Sequence, residues 1–282
     1  MAIWRGRQHG RVARCLGVFA LTMSAVGAAV AQDAAPTAVP TADEIVTRCE
    51  NKYAGDDQTT RLTITNRNKD GSERQTVYLR HLKNYKPDGA VLQKMLLLTE
   101  SPRDAKGTTF MRWEYPRATQ KVPEQWLYAP QSRILRRVSV RDPGEAFLGT
   151  TLTLGDIAIR APDQDTHKLL GIERNFSGEW YVVESVPREE PALYSRIVNF
   201  YTKTANWDEC VKVQAVFYDP RGIQQKTQKL QWQRVNNAWV WSHVEVINTQ
   251  NEQVSIFDVT DVQINPGLGE ELFTERNLKR GG

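Results

Sequence analysis

Arg133, Arg136, Arg137 and Arg141 lead into "RDPGEAFLGTTLTLGDI", residues Arg141 to Ile157, where glycines, threonine hydroxyls and a closing Asp156 stand together. Such residues can cradle a phosphate when the loop opens a helix and supplies a lysine. Here the G-x-x-x-x-G-K-[ST] spacing is missing and no helical period follows Asp156. The same residues also suit a turn and a short lid over a groove, with Phe147 and Leu148 as its apolar contacts and Thr150 to Asp156 as its hydrogen-bonded anchor.

Other residues able to do chemistry stand apart from one another. His81, His167 and His243 show neither an H-x-H nor an H-E-x-x-H spacing, so no zinc site is written into the chain. No G-x-S-x-G elbow is present, and Ser139 lies in a basic, strand-like run without a triad around it. The pairs Glu189/Glu190 and Glu270/Glu271 read as solvated turn or helix-end charges. The expectation is a non-enzymatic protein with no catalytic residue, no metal and no cofactor.

Elements must position whatever function remains, and the first of them is not part of the fold. Arg5, Arg7, Arg11 and Arg14, the apolar run Cys15 to Val30 and the small residues Ala29-Val30-Ala31 make the three regions of a secretory signal peptide, cleaved near Ala31. Removing those four arginines from 37 basic residues leaves 33 against 33 acidic ones. The mature chain is then neutral, and the basic isoelectric point is no sign of nucleic-acid binding. Residues 32–41, rich in Ala, Pro and Thr, form a disordered leader, and residues 42–282 a single domain. Cys49 and Cys210 remain in an oxidising compartment, as one disulfide or as two buried thiols.

"TADEIVTRCENKY" reads as a helix, with Thr41 as N-cap, Glu44 three residues on, Ile45, Cys49 and Tyr53 near one face, and Gly55 as its stop. From there the chain alternates apolar and polar residues in about a dozen runs divided by turns, among them Asp70-Gly71, Asp219-Pro220-Arg221-Gly222 and Asn236-Asn237. No helical crossovers intervene, so the sheet is antiparallel. Val213 and Phe217 share one face, as do Trp239 and Trp241, and as do Met111, Trp113 and Tyr115. A large sheet with so little helix to cover its apolar face leaves a groove suited to an apolar occupant. The lining is expected from Met111, Trp113, Trp126, Phe147, Leu148, Val213, Phe217, Trp239 and Trp241. The basic run offers Arg136, Arg137 and Arg141 to anionic headgroups or an acidic partner.

Three ordered stretches resemble a known family. Trp126, Tyr128 and Pro130 stand as W-x-Y-x-P; Asp142, Phe147, Gly149, Thr150 and Asp156 follow the basic run; Phe273, Thr274 and Leu278 close the chain as F-T-x-x-x-L. Together they resemble the LolA-like outer-membrane lipoprotein-sorting proteins across most of Ala42 to Lys279. That resemblance implies a mainly β fold, a strongly curved antiparallel half-barrel with a few short helices over its concave face. It also implies a periplasmic, monomeric carrier of a lipid or lipoprotein acyl chain that works beside an RND (MMPL-like) inner-membrane transporter. The competing expectation is a periplasmic sensor or adaptor that binds a protein partner and regulates an envelope response.

Overall fold

The computed structural model describes residues 39–138, 142–175 and 178–280. The signal peptide, residues 32–38 of the leader, Ser139 and Arg141 lie outside them. Strands run in chain order as β1 (Asp57–Arg67), β2 (Glu73–Asn84), β3 (Gln93–Ser101), β4 (Thr109–Glu114), β5 (Glu124–Ala129), β6 (Ile134–Val138) and β7 (Asp165–Asn175). They continue as β8 (Gly178–Pro187), β9 (Arg196–Thr202), β10 (Lys212–Tyr218), β11 (Gln224–Val235), β12 (Ala238–Asn248) and β13 (Val254–Ile264). Among the described residues two α-helices, α1 (Ala42–Glu50) and α2 (Glu275–Leu278), flank them.

All strands join one antiparallel sheet in the order β6-β5-β4-β3-β2-β1-β13-β12-β11-β10-β9-β8-β7. It is two meanders sewn together at the middle, where β1 pairs β13 with Ile64 opposite Phe257. The turns have the residues their geometry requires. Gly71 takes φ +82 between β1 and β2, and Asn236 takes φ +56 in the two-residue link from β11 to β12. After β10 the Asp219 carboxylate accepts from the backbone N–H groups of Arg221 and Ile223, both at 2.9 Å.

Strand alternation sorts the apolar residues onto two faces. Leu62 and Ile64 of β1, Tyr78 of β2, Leu97 of β3, Phe110 of β4, Leu230 of β11 and Val244 of β12 meet in one cluster with Phe147, Leu152 and Leu154. Residues from distant strands converge on the same short segment, so this is the inner face of a curved, unclosed half-barrel. The neighbours Leu96, Met111, Trp126 and Tyr128 point the other way, where Phe273 and Leu278 cover them. Both faces of β3 are thus buried, which is why "MLLL" there is a continuous apolar run instead of an alternating one.

Helix α1 is capped as its sequence requires, with the Thr41 hydroxyl accepting from the Glu44 N–H at 3.2 Å. It ends at Glu50, three residues short of Tyr53, and the Tyr53 carbonyl accepts from the Trp239 N–H of β12 at 2.8 Å. Its apolar side packs Ile45, Val46 and Cys49 against Tyr181, Val183 and Tyr201, which share the inner face through the β8–β9–β10 register. A disulfide from Cys49 to Cys210, across 161 residues, fixes it there. The Glu50 carboxylate adds an ion pair to Lys212 at 2.8 Å and accepts from the Tyr201 hydroxyl at 2.7 Å.

On the outer face, Glu270 clamps the final segment. Burial raises its carboxyl, but hydrogen bonds from Lys94 at 2.6 Å and Tyr85 at 2.8 Å, together with Lys83, outweigh that and hold it at about 2. A depressed carboxyl stabilises fully above its unfolded value of 4.5 and stops doing so as pH falls through about 2. Glu270→Gln should therefore weaken protection of the final segment at pH 6 and flatten its loss on acidification; amide exchange of residues 268–278 between pH 6 and pH 2.5 measures both. In the chain-entropy model a loop as long as the Cys49–Cys210 separation stabilises by about 5 kcal/mol. Reduction, or Cys210→Ser, should lower the melting temperature by roughly 5–15 °C in scanning calorimetry.

Candidate functional site

The two sheet edges, β6 and β7, are consecutive in sequence yet lie at opposite ends of the strand order. The chain that joins them must travel from one edge to the other, and the loop from Asp142 to Ile157 lies over the inner face. Its central part is a compact loop. The Asp142 carboxylate accepts from the Gly144 N–H at 2.8 Å, and the Pro143 carbonyl from the Gly155 N–H at 2.8 Å, which closes the base. Ala146 bridges Thr153, and the Phe147 N–H reaches the Leu152 carbonyl at 2.8 Å. At the tip, Leu148 and Gly149 take left-handed φ values of +50 and +73. That conformation is easy for glycine and strained for leucine, and it aims Phe147 inward. The Phe147 ring meets Phe110 edge-on at 5.6 Å, while Leu152 and Leu154 enter the same cluster.

Polar contacts fasten this lid to the sheet. The Thr151 N–H donates to the Ser255 hydroxyl of β13 at 2.9 Å, and the Thr151 hydroxyl donates to the Val246 carbonyl of β12 at 3.3 Å. Asp156 accepts from the N–H and hydroxyl of Thr153 at 2.6 and 2.9 Å and from the Tyr194 hydroxyl at 2.8 Å. It also forms an ion pair with Lys226 of β11, whose side chain is 2% exposed and that of Asp156 3%. The Lys226 ammonium lies 5.0 Å from the Tyr194 and Phe217 ring centres. Burial pulls the Lys226 ammonium below its usual range against the pull of Asp156. Burial raises the Tyr194 phenol, and the Asp156 charge raises it further. The Tyr194 phenol is thereby held neutral, and the contact with Asp156 opposes the loss of the Lys226 proton that burial favours.

The expected lining residues separate into groups. Phe147 and Leu148 are on the lid, Trp241 packs into the inner cluster and meets Trp232 edge-on at 6.0 Å, and Phe217 meets Tyr194 at a tilt of 58° with ring centres 5.0 Å apart. Val213 is half-buried at an irregularity in the β9–β10 register. Trp239 is half-buried beneath the Arg234 guanidinium, 5.6 Å from its ring. Met111, Trp113 and Trp126 lie on the other face of the sheet and pack with Phe273 and Leu278, with the Trp126 N–H donating to Glu275 at 2.8 Å. Strand parity alone puts them there, because Phe110 and not Met111 faces the lid. A cleft of about 420 Å³ opens beside the lid, between Leu148 and Gly149 on one side and Asn66, Tyr78 and Thr99 on the other.

Of the basic cluster, Arg136 is exposed on edge strand β6, and Arg137 points to the opposite face, paired with Glu124. Arg141 lies outside the described residues. The three histidines among the described residues are separate: His81 bonds Thr59 at 3.0 Å, His167 lies between Ser185 and the Pro162 carbonyl, and His243 pairs with Asp258 at 2.6 Å. Among the described residues no three His, Cys, Asp or Glu side chains gather as metal ligands. Sequence reasoning missed Lys226 and Tyr194. Lys226 sits in the polar run "IQQKTQKLQ", and only its two-residue phase with the inner-facing Leu230 marks it as buried.

A family model whose description reads "-like: Uncharacterized protein" matches residues 92–280. No curated protein matches the sequence. Among solved structures, a DUF1329 family protein from Desulfovibrio piger superposes with a TM-score of 0.75 at 20% identity, over 84% of this chain and 97% of that one. A putative outer membrane lipoprotein-sorting protein domain from Vibrio parahaemolyticus gives 0.71 at 22% identity, over 85% and 97%. A LolA superfamily protein from Nitrosomonas europaea gives 0.61 at 18% identity, over 85% and 100%. The chain belongs to the family that the matching model describes, and its fold is that of the LolA-like lipoprotein-sorting proteins.

Proposed function

We propose that this protein is a periplasmic, non-enzymatic carrier that takes a lipid or lipoprotein acyl chain onto the inner face of the half-barrel. One observation carries the proposal: the apolar inner face is occupied by a loop of the chain itself, and that loop is fastened to the sheet largely through side-chain and single backbone contacts. An acyl chain can replace it. Burying Phe147, Leu148, Leu152 and Leu154 is worth roughly 1.5–3 kcal/mol each, or about 6–12 together. A chain of about 14 methylenes at ~0.8 kcal/mol each gains a similar amount. Exchange between lid and cargo is then close to balanced, which a carrier needs if it is to release what it binds. The lipoprotein-sorting names of the structural neighbours favour the same reading.

The proposed lining combines Phe147, Leu148, Phe217 and Trp241 with Tyr78 and Phe110, and Val213 and Trp239 extend it toward α1. The exposed Arg136, with Arg137 and Arg141, is the proposed contact for an acidic partner surface. An RND-type inner-membrane transporter is the proposed partner, on the strength of the motif resemblance alone.

Mass spectrometry of organic extracts from protein purified from its own periplasm should find a bound acyl lipid, and an empty extract with no uptake of labelled lipid from vesicles would sink the carrier reading. Locking the lid gives a second check. In Thr151→Cys/Ser255→Cys, oxidation should abolish lipid uptake and mild reduction should restore it, with the wild type under the same reductant as control. The latch has its own signature. Asp156→Ala leaves Lys226 buried without a counter-charge and should cost about 3–5 kcal/mol in urea unfolding, whereas Asp156→Leu/Lys226→Met should recover most of that.

A further inference from the structure

The inner face is not uniformly apolar. Two residues beyond Phe110 on β4, and so on the same face, Arg112 lies 2% exposed beside Glu114. The Arg112 Nε donates to the Glu114 carboxylate at 2.5 Å, and Nη2 makes the ion pair. Nη1 has no partner. Directly across the ladder on β5 stands Gln125, 0% exposed, with both carboxamide atoms unpartnered. On β2, two residues beyond Tyr78, the half-buried Arg80 reaches the Thr60 hydroxyl at 3.0 Å and the Gln58 carboxamide oxygen at 3.3 Å. Among the described residues no carboxylate pairs with it, and burial lowers its pKa to about 10.

A buried donor left unmade costs about 1–3 kcal/mol, and a guanidinium more. Such groups persist where something else completes them. Glu114 covers one edge of the Arg112 guanidinium and leaves the Nη1 edge open, the edge that grips a carboxylate or phosphate through paired N–H groups. Arg80 and Arg112 bring two guanidinium groups to the inner face against the one Glu114 carboxylate, and Arg74 follows on the same face of β2, so the local balance favours an added negative charge.

We propose that Arg112 and Gln125, with Arg80 as the nearby uncompensated charge, form a subsite for the anionic oxygen of an acyl lipid's head, a carboxylate or a phosphate. This rests on the carrier reading and assigns the cargo its chemistry and orientation: head on β4–β5, chain along the apolar cluster that the lid now fills. Arg112 and Gln125 are closed off from solvent in this structure, so an anion reaches them only when the segments over them move.

The test uses delipidated full-length mature protein and three probes of one chain length: hexadecanoic acid, hexadecyl phosphate and hexadecanol, titrated calorimetrically at pH 8. Either anion should bind at least 10-fold more tightly than the alcohol, and the better anion identifies the head as carboxylate or phosphate. That preference should fall toward unity in Gln125→Met, which keeps the Arg112–Glu114 pair, and in Arg112→Met/Glu114→Gln. Equal binding of all three probes by the wild type would overturn the subsite and leave the carrier reading standing. Binding of none would overturn both. An anion preference unchanged in Gln125→Met and in the double variant would place the anion elsewhere and overturn the assignment.

Discussion

Everything on the inner face follows from one topological constraint. The strands are laid down as two meanders, and the chain passes from the first to the second at the outer edges β6 and β7, not at the central β1–β13 seam. A connection between opposite edges of a curved sheet has to cross its mouth. Once it crosses, its backbone is partly buried and its polar groups need partners. The loop between Asp142 and Ile157 meets that need with its own short-range bonds and with Ser255, Val246 and Lys226 on the sheet. The lid is therefore a consequence of the strand order before it is a device for function.

The Asp156–Lys226 pair sets how that lid is held. Two charges taken from water gain little net stability over well-packed apolar residues of the same volume. They do impose a geometry, since Asp156 accepts from Thr153 and Tyr194 as well, and only one placement of the loop satisfies all of these donors. Apolar contacts of Phe147, Leu152 and Leu154 supply adhesion without direction. Division of labour of this kind gives a lid with a defined closed position and a modest total hold.

Most of the architecture was legible in residue patterns. Turn residues at Asp70-Gly71, Asp219 to Gly222 and Asn236-Asn237 mark hairpins, and the capped helix before Gly55 is real although shorter by a turn's worth of residues. The stretch ending at Asp156 reads as a hydrogen-bonded lid in sequence and is one in the fold. Which face is inner was not legible for β4 and β5. Both faces of those strands carry large apolar residues, Phe110 and Leu127 inward, Met111 and Trp126 outward, so alternation defines two faces without saying which one the lid meets. Lys226 and Arg112 were invisible for a different reason: a charged residue in a polar run looks solvated until the register places it against the interior.

The outer-face contact between Trp126 and Glu275, spanning 149 residues, has a bearing on how the chain reaches this fold. Leu96, Met111 and Trp126 leave the ribosome long before Phe273 and Leu278, which cover them. Until that last segment arrives, the first meander presents an uncovered apolar stripe on its outside as well as its inside, and an unpaired edge at β1 waiting for β13. Such a half-built sheet is a template for aggregation. Synthesis order therefore favours keeping the chain extended until all of it has emerged.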